Sequence, residues 1–276
     1  MPWRMGDGWT ANGKPTSCWA MDQNEVGQLM EDRYQKSILL YDDGIGRVDY
    51  VDHMGSDLTV ANSARVSFGV EKQELDEGDV KLIKYLIKHK HTSTLEHNVI
   101  TFRFQVPLFI RSQHHRHRTW SYNEISRRYT DINLEFYEPK TYRTQHASNR
   151  QASNPLDTID PMIGVRYGQL TPATKIVAEH HKRCLRLYNE MLDGGICREQ
   201  ARGILPQNLM TEYYGSVSLS NLFKFITLRI HSGAQWEIQR VAEACLAIVK
   251  DLYPITTQAF IDCMDDEELK ERFNNV

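Results

Sequence analysis

Ile100-Thr101-Phe102-Arg103-Phe104-Gln105-Val106-Pro107 alternates apolar and polar side chains with period two, the pattern of a half-buried strand. Pro107 ends it, because proline has no amide hydrogen for a further ladder bond. The same ring suits the first turn of a helix, so the sequence predicts a helix over Leu108–His117. That helix leads into Arg116-His117-Arg118-Thr119-Trp120-Ser121-Tyr122-Asn123-Glu124-Ile125-Ser126-Arg127-Arg128-Tyr129, and Leu134 with Phe136 predicts a second strand after it. The segment is expected to be a loop between two core elements, where functional loops are commonly held.

No packing requirement explains its composition. Between Arg111 and Arg128 there are five arginines, three histidines (His114, His115, His117) and one acidic residue, Glu124, in a chain of formal charge -3. This local reversal of sign points to an anionic ligand. The planar fork of arginine suits phosphate, and a lone carboxylate among cations is placed to accept hydrogen bonds from a ribose or a base. The composition leaves two other uses open. An arginine-rich loop with Trp120, Tyr122 and Tyr129 as stacking platforms would bind single-stranded nucleic acid. His114, His115 and His117 would bind a metal, although adjacent histidines rarely converge on one ion without carboxylate support.

Across its 276 residues the chain is 41% hydrophobic, enough for a core. No apolar run approaches the ~20 residues of a membrane span, and the N-terminus lacks the apolar segment of a signal peptide. A cytoplasmic protein without a membrane partner is expected. Near-neutral net charge disfavours a general nucleic-acid binder. The five cysteines (Cys18, Cys184, Cys197, Cys245, Cys263) are far apart and form no Cys-x-x-Cys pair, so neither a disulfide framework nor a zinc site is expected. Neither Gly-x-Gly-x-x-Gly nor a Gly-Lys-Ser/Thr loop occurs, which argues against a Rossmann or P-loop site.

Along the chain, residues 1–45 read as an irregular arm carrying Trp3, Trp9 and Trp19. Residues 79–91 place Leu82, Ile83, Leu86 and Ile87 opposite Lys81, Lys84 and Lys88, an amphipathic helix. Residues 144–161 are rich in Ser, Asn, Gln and Asp and read as a mobile surface connection. Thr171 and Pro172 then suggest an N-cap and first turn for a helix that Gly194-Gly195 stops. Further helices are expected over 197–205, 219–231 and 235–253, and residues 266–276 as a C-terminal tail. The fold class is α/β in the mixed α+β sense: a central sheet flanked by long helices, in a single domain spanning 46–265.

Arg116-His117-Arg118, then seven residues, then Ser126 resembles the signature of the flavin-dependent thymidylate synthases. The filling Ser-Tyr-Asn-Glu-Ile-Ser-Arg-Arg-Tyr is similar as well. Four further segments fit the family in order: Ala64-Arg65-Val66-Ser67-Phe68, Lys90-His91-Thr92-Ser93-Thr94-Leu95-Glu96-His97, Ala201-Arg202-Gly203-Ile204-Leu205-Pro206 and Ala234-Gln235-Trp236-Glu237. Together they extend from Val48 to Ile261, which makes chance agreement with one short motif a poor explanation.

The resemblance implies a single domain of the thymidylate synthase-complementing type and a de novo route to thymidylate. Methylene-tetrahydrofolate donates the carbon to dUMP, and FAD reduced by NADPH carries the hydride. It implies a homotetramer with sites built across subunits, no cysteine nucleophile and no metal. Around the nucleotide it implies Gln113, Arg116, Glu124, Ile125, Ser126, Arg127, Arg128 and Arg202, with Arg127, Arg128 and Arg202 on the phosphate. Toward the flavin it implies Ser93, Glu96, Arg116, His117, Arg118, Glu124, Ser218, Ser220 and Lys224. His91 and Tyr129 fall on the folate and nicotinamide side. Arg229 is the catalytic cation beside the pyrimidine, and Ser126, a nucleophile candidate by position, is expected to bind substrate. Many relatives carry Asn-x-Arg and another Asn before the Arg229 position. This chain has Ser218, Leu219, Ser220 and Lys224 there, so hydroxyls and an ammonium replace a bidentate fork.

Overall fold

The computed structural model of the chain describes residues 36–166 and 169–276. Its strands are β1 (Ser37–Leu39), β2 (Arg47–Met54), β3 (Val99–Pro107), β4 (Ser121–Glu124), β5 (Tyr142–Gln145), β6 (Ser153–Ile159), β7 (Met162–Arg166), β8 (Gln169–Pro172) and β9 (Met210–Ser218). The helices are α1 (Asp57–Arg65), α2 (Glu77–Lys88), α3 (Leu108–His114), α4 (Ala173–Asp193), α5 (Arg198–Ala201), α6 (Leu219–Ile230), α7 (Trp236–Leu252), α8 (Pro254–Asp262) and α9 (Glu267–Asn274). Five strands form one antiparallel sheet in the order β1-β2-β3-β9-β4. β5 with β6 and β7 with β8 form separate two-stranded ribbons.

The predicted alternation in β3 decides which face of the sheet becomes core. Ile100, Phe102, Phe104 and Val106 are fully buried, joined by Tyr213 and Val217 of β9 and by the apolar faces of α6 and α7. Burying each such side chain is worth roughly 1.5–3 kcal/mol, so this face dominates the stability of the domain. Gly215 of β9 sits where an added Cβ would meet Phe104 at 2.9 Å and Trp120 at 3.1 Å; only glycine lets the Trp120 ring close over the sheet. The other face carries a buried ion cluster. Arg103 stands opposite Asp49 in the β2–β3 register and pairs with it at 3.0 Å, while its other nitrogens reach Glu212 of β9.

The helices over 79–91, 219–231 and 235–253 form close to where the periodicity places them, and α4 ends at Asp193 before Gly194 and a left-handed Gly195. Four local expectations are corrected. Leu134 and Phe136 do not form a strand. Phe136 makes a single bridge to Leu209 and stacks on His181, whereas the edge strand β4 lies inside the signature and pairs with β9. The open edge of β9 needs backbone partners whatever the side chains, and Ser-Tyr-Asn-Glu is too polar for alternation to reveal it.

Residues 144–161, read as a structureless connection, hold most of the β5–β6 ribbon, tied by Thr144 to Asp157 at 2.7 Å. Thr171 lies in β8 and Pro172 occupies the N-cap position without a side-chain cap. The first turn of α4 is instead received by Asp160, which accepts from the Thr174 backbone N–H at 3.0 Å and its hydroxyl at 2.7 Å. Those bonds hold the Asp160 carboxyl below its usual range. The predicted helix over 108–117 stops at His114, and the chain turns at His115–Trp120 to enter β4.

Residues 266–276 contain α9, whose N-terminus Asp266 caps by accepting from Leu269 N–H, and whose Leu269 and Phe273 are buried. Of the expected arm 1–45, residues 1–35 with Trp3, Trp9 and Trp19 lie outside the described residues. From Ser37 the chain is in the sheet, and Leu40 and Tyr41 belong to the core.

Candidate active site

The basic segment leaves α3 and divides at once into groups that are locked and groups that are open. His114 is fully buried among Phe104, Trp120 and Phe225, with its Nδ1 bonded to the Tyr213 hydroxyl at 2.8 Å. Burial drives its pKa well below the usual histidine value, so it is a neutral core group. His115 stacks on Tyr122 with ring centroids 4.0 Å apart. His117 turns the other way and accepts the Nε–H of Arg229 on Nε2 at 2.9 Å. The three histidines therefore diverge to three different partners.

The His117–Arg229 contact fixes both groups. Because Arg229 only donates, His117 Nε2 must be the acceptor and its proton must sit on Nδ1. Burial and the Arg229 charge lower the His117 pKa to about 4, which keeps the ring neutral near pH 7. Arg229 spends Nε on the histidine, and its terminal nitrogens make no hydrogen bond among the described residues.

Arg229 lines a cavity of about 1220 Å3. Its apolar wall includes Leu86, Ile87, Leu95, Phe223, Phe260 and Met264; its cations are Lys90, Lys224 and Arg229; and His91 and Ser220 also line it. α2 delivers His91 through an unusual turn. Lys90 N–H bonds Ile87 O at 3.0 Å and His91 N–H bonds Leu86 O at 2.8 Å, the two bonds of a Schellman C-cap. Lys90 takes the left-handed position at φ 58, where glycine is usual. This local strain is placed on the cavity wall, as strain often is at functional sites.

Across the cavity, α6 begins at Ser218, whose Oγ accepts from Asn221 Nδ2 at 3.1 Å; Asn221 in turn accepts from Lys224 Nζ at 3.3 Å. Ser220 is buried at 3%, and its hydroxyl has no hydrogen-bond partner among the described residues. A buried orphan hydroxyl on the wall of a large cavity, beside a lysine, is a donor suited to a ligand oxygen. The cavity thus combines an apolar wall with three cations, two carboxylates (Asp265 and Asp266) and an available hydroxyl, which suits a large ligand with both an apolar ring and polar groups.

The remaining predicted residues lie elsewhere in their own chain. Gln113 bonds Gln235. Glu124 accepts Arg111 Nε at 3.0 Å and the Thr211 hydroxyl at 2.7 Å on the same oxygen, Oε1. Ile125 N–H continues the β4–β9 pairing to Glu212 O at 2.9 Å. Ser126 Oγ accepts from Arg128 N–H at 3.3 Å. Arg127 is folded back, donating to the carbonyls of Ile132, Asn133 and Met210. Arg128 is exposed beside the exposed ring of Tyr129, 5.7 Å from its centroid. Arg116, Arg118 and Arg202 are exposed, as are Ser93 on the 3-10 turn Thr92–Leu95 and Glu96 at its C-cap, and none of the five lines the cavity.

Sequence reasoning missed Lys90, Asn221 and the apolar wall from α8 and α9. Lys90 carried no signal, because a left-handed lysine is a product of chain geometry. Cys245 is buried in the core with its pKa pushed up by desolvation, while Cys263 is half-buried on the cavity wall.

A family model described as thymidylate synthase complementing protein matches residues 49–255. A flavin-dependent thymidylate synthase of Thermus thermophilus is 40% identical over 217 residues, covering 78% of this chain and 75% of the relative. One from Thermotoga neapolitana is 39% identical over 220 residues, covering 78% of this chain and 91% of the relative. Among solved structures, a UMP/dUMP methylase from Streptomyces cacaoi bound with 5-Br dUMP superposes with a TM-score of 0.67 at 32% identity, covering 82% of this chain and 97% of that one.

Proposed function

The chain belongs to the flavin-dependent thymidylate synthase family, and we propose that it converts dUMP to dTMP with methylene-tetrahydrofolate as carbon donor and FAD, reduced by NADPH, as cofactor. The observation that carries the reading is the Arg229–His117 contact at the edge of the cavity. It joins the basic signature to the wall that also holds His91, Ser220 and Lys224, three regions distant in sequence.

When bound, reduced flavin supplies the hydride that no side chain carries. Ser220 and Lys224 would hold its phosphates with a hydroxyl and an ammonium, and Leu86, Phe223 and Phe260 would give an apolar surface to a ring. The dinucleotide form is favoured because the volume of about 1220 Å3 exceeds the roughly 300–1,000 Å3 of ordinary small-ligand pockets.

Arg229 acts as a fixed cation beside the uracil. As the ring carbon becomes nucleophilic, negative charge spreads over the pyrimidine, and a preorganised guanidinium stabilises it without rearranging. His117 holds that guanidinium by its Nε. Ser126, with its oxygen on the Arg128 amide and no neighbouring base, binds substrate rather than attacking it. Arg128 and Arg202 receive the nucleotide phosphate, with Arg127 shaping the loop that presents them. Glu124 keeps Oε2 for the nucleotide or the flavin. His91 and Tyr129 serve the folate and nicotinamide side.

No thiol attacks the pyrimidine in this reading: Cys245 is buried in the core, and Cys263, on the cavity wall, has no hydrogen-bonded base among the described residues. The enzyme works in the cytoplasm as a homotetramer with sites built across subunits. The exposure of Arg116, Arg118, Arg128, Tyr129 and Arg202 outside the cavity of their own chain supports such shared sites.

Recording the visible spectrum of the purified protein, titrating it with FAD and measuring NADPH oxidation with and without dUMP tests this reading. Flavin absorbance and dUMP-dependent oxidation are expected. Colourless protein that takes up no FAD and ignores dUMP would overturn it.

A further inference from the structure

We propose that Glu237 and Gln235 are positioning residues that set which way the amide of Gln113 faces, and so the hydrogen-bonding face this residue presents to the nucleotide. The inference rests on the nucleotide reading of Gln113 given above. Its structural basis is a three-residue relay. Gln235 Nε2 donates to Glu237 Oε2 at 3.0 Å, and Gln113 Nε2 donates to Gln235 Oε1 across a separation of 122 residues.

The chemistry admits one orientation. Glu237 is buried at 4%, and its other oxygen, Oε1, already receives the Arg143 guanidinium and the Tyr137 hydroxyl. A carboxylate paired with arginine accepts and does not donate. Gln235 must therefore turn its NH2 toward Glu237, which leaves its carbonyl facing Gln113. Gln113 in turn must point its own NH2 at Gln235. An isolated glutamine flips freely between two orientations of similar shape; here a buried charge two residues away decides the matter. The carbonyl oxygen of Gln113 is left turned away from Gln235, and no other side-chain hydrogen bond of Gln113 is formed among the described residues.

The relay stands on a rigid mount. Gln235 is the N-cap position of α7, and the next residue, Trp236, lies beside two guanidinium groups, Arg143 at 4.7 Å and Arg240 at 5.4 Å from ring centroids. Gln113 leaves the last turn of α3, directly before the basic segment. The Gln-Trp-Glu run thus reaches the nucleotide site through Gln113 without a residue of its own on the large cavity.

A double-mutant cycle on the flavin-loaded enzyme, read by calorimetric titration with dUMP, separates positioning from general support. Gln235→Met is expected to weaken dUMP binding about tenfold in the native background and to change nothing when Gln113→Met is already present. Glu237→Gln, whose amide lets Gln235 face either way, should weaken dUMP binding in the same direction. Tyr137→Phe removes a hydroxyl that bonds Oε1 of Glu237 and adjoins Arg143, not the Oε2 that receives Gln235, and should leave dUMP binding unchanged.

Flavin absorbance should persist in all of them. If Gln235→Met fails to fold, Gln235→Asn, one methylene shorter, carries the same test with a smaller loss. Equal losses with and without Gln113, or a loss in Tyr137→Phe as large as in Glu237→Gln, would show mere structural support and overturn the proposal. Native enzyme that binds flavin but no dUMP would instead remove the nucleotide reading, and the proposal with it.

Discussion

The two ends of the segment 116–129 are held in opposite ways. At the first end, His117 is tied to Arg229 across 112 residues, its proton placed and its charge suppressed by burial. At the second, Arg128 and Tyr129 stand in solvent with only local contacts, and Arg127 satisfies its own loop. In the proposed function the difference separates two jobs. A cation meant to stabilise developing charge must be fixed before the reaction, which requires a buried partner. Cations meant to catch a phosphate, or to meet a second subunit, must remain open.

The largest break in this contrast is expected at Arg229. Arg229→Ala should lower turnover about 10²–10³-fold while flavin absorbance is kept, as for removal of one preorganised electrostatic group. Undiminished single-turnover dTMP formation would remove Arg229 from the mechanism. Arg127→Ala comes next and should act on stability: losing bonds to three carbonyls is expected to cost about 2 kcal/mol in chemical denaturation. Denaturation midpoints equal to native would show that its loop does not depend on it.

Arg128→Ala should do the reverse. Among the described residues its exposed guanidinium meets only the exposed ring of Tyr129, so stability should stay within about 0.5 kcal/mol of native. The KM for dUMP should rise about tenfold, the size of one charge-assisted phosphate contact. A stability loss with unchanged KM would put Arg128 with the locked groups.

The smallest effect concerns pH. Unfolded, His117 takes a proton near its ordinary value of 6.5; folded, it does so only at about 4. Its stabilising contribution is therefore complete above 6.5 and is lost as pH falls through that window. His117→Phe should flatten the decline of stability between those values, although buried His114 keeps part of it because its pKa is also lowered. A pH profile of stability identical to native would mean that burial and the Arg229 charge do not hold His117 neutral.

Much of this was legible in the chain. Period-two alternation placed β3, and helical stripes placed α2, α4, α6 and α7, because those patterns are imposed by burial against a single core. The composition of 111–128 pointed to an anion site, but folding puts His114 and Trp120 of that stretch into the core. The predicted strand at Leu134–Phe136 failed, and β4 went unseen, for one reason. An edge strand is selected by the open backbone of its neighbour, and its side chains need carry no hydrophobic signature. Asp160 capping α4 from 14 residues upstream was hidden likewise, since local spacing favoured Thr171.

The sequence by itself determined the fold class, the family and the identity of the chemically capable residues, since these follow from periodicity, composition and motif spacing along one chain. Only the tertiary structure decided what each basic residue touches. The sequence treats Arg116, Arg127, Arg128 and Arg229 alike as cations. Folding gives Arg229 a neutral histidine and a cavity, gives Arg127 three carbonyls, and leaves Arg116 and Arg128 to solvent. The physical reason is that a side chain's charge is local, but its partner, burial and orientation come from residues a hundred positions away.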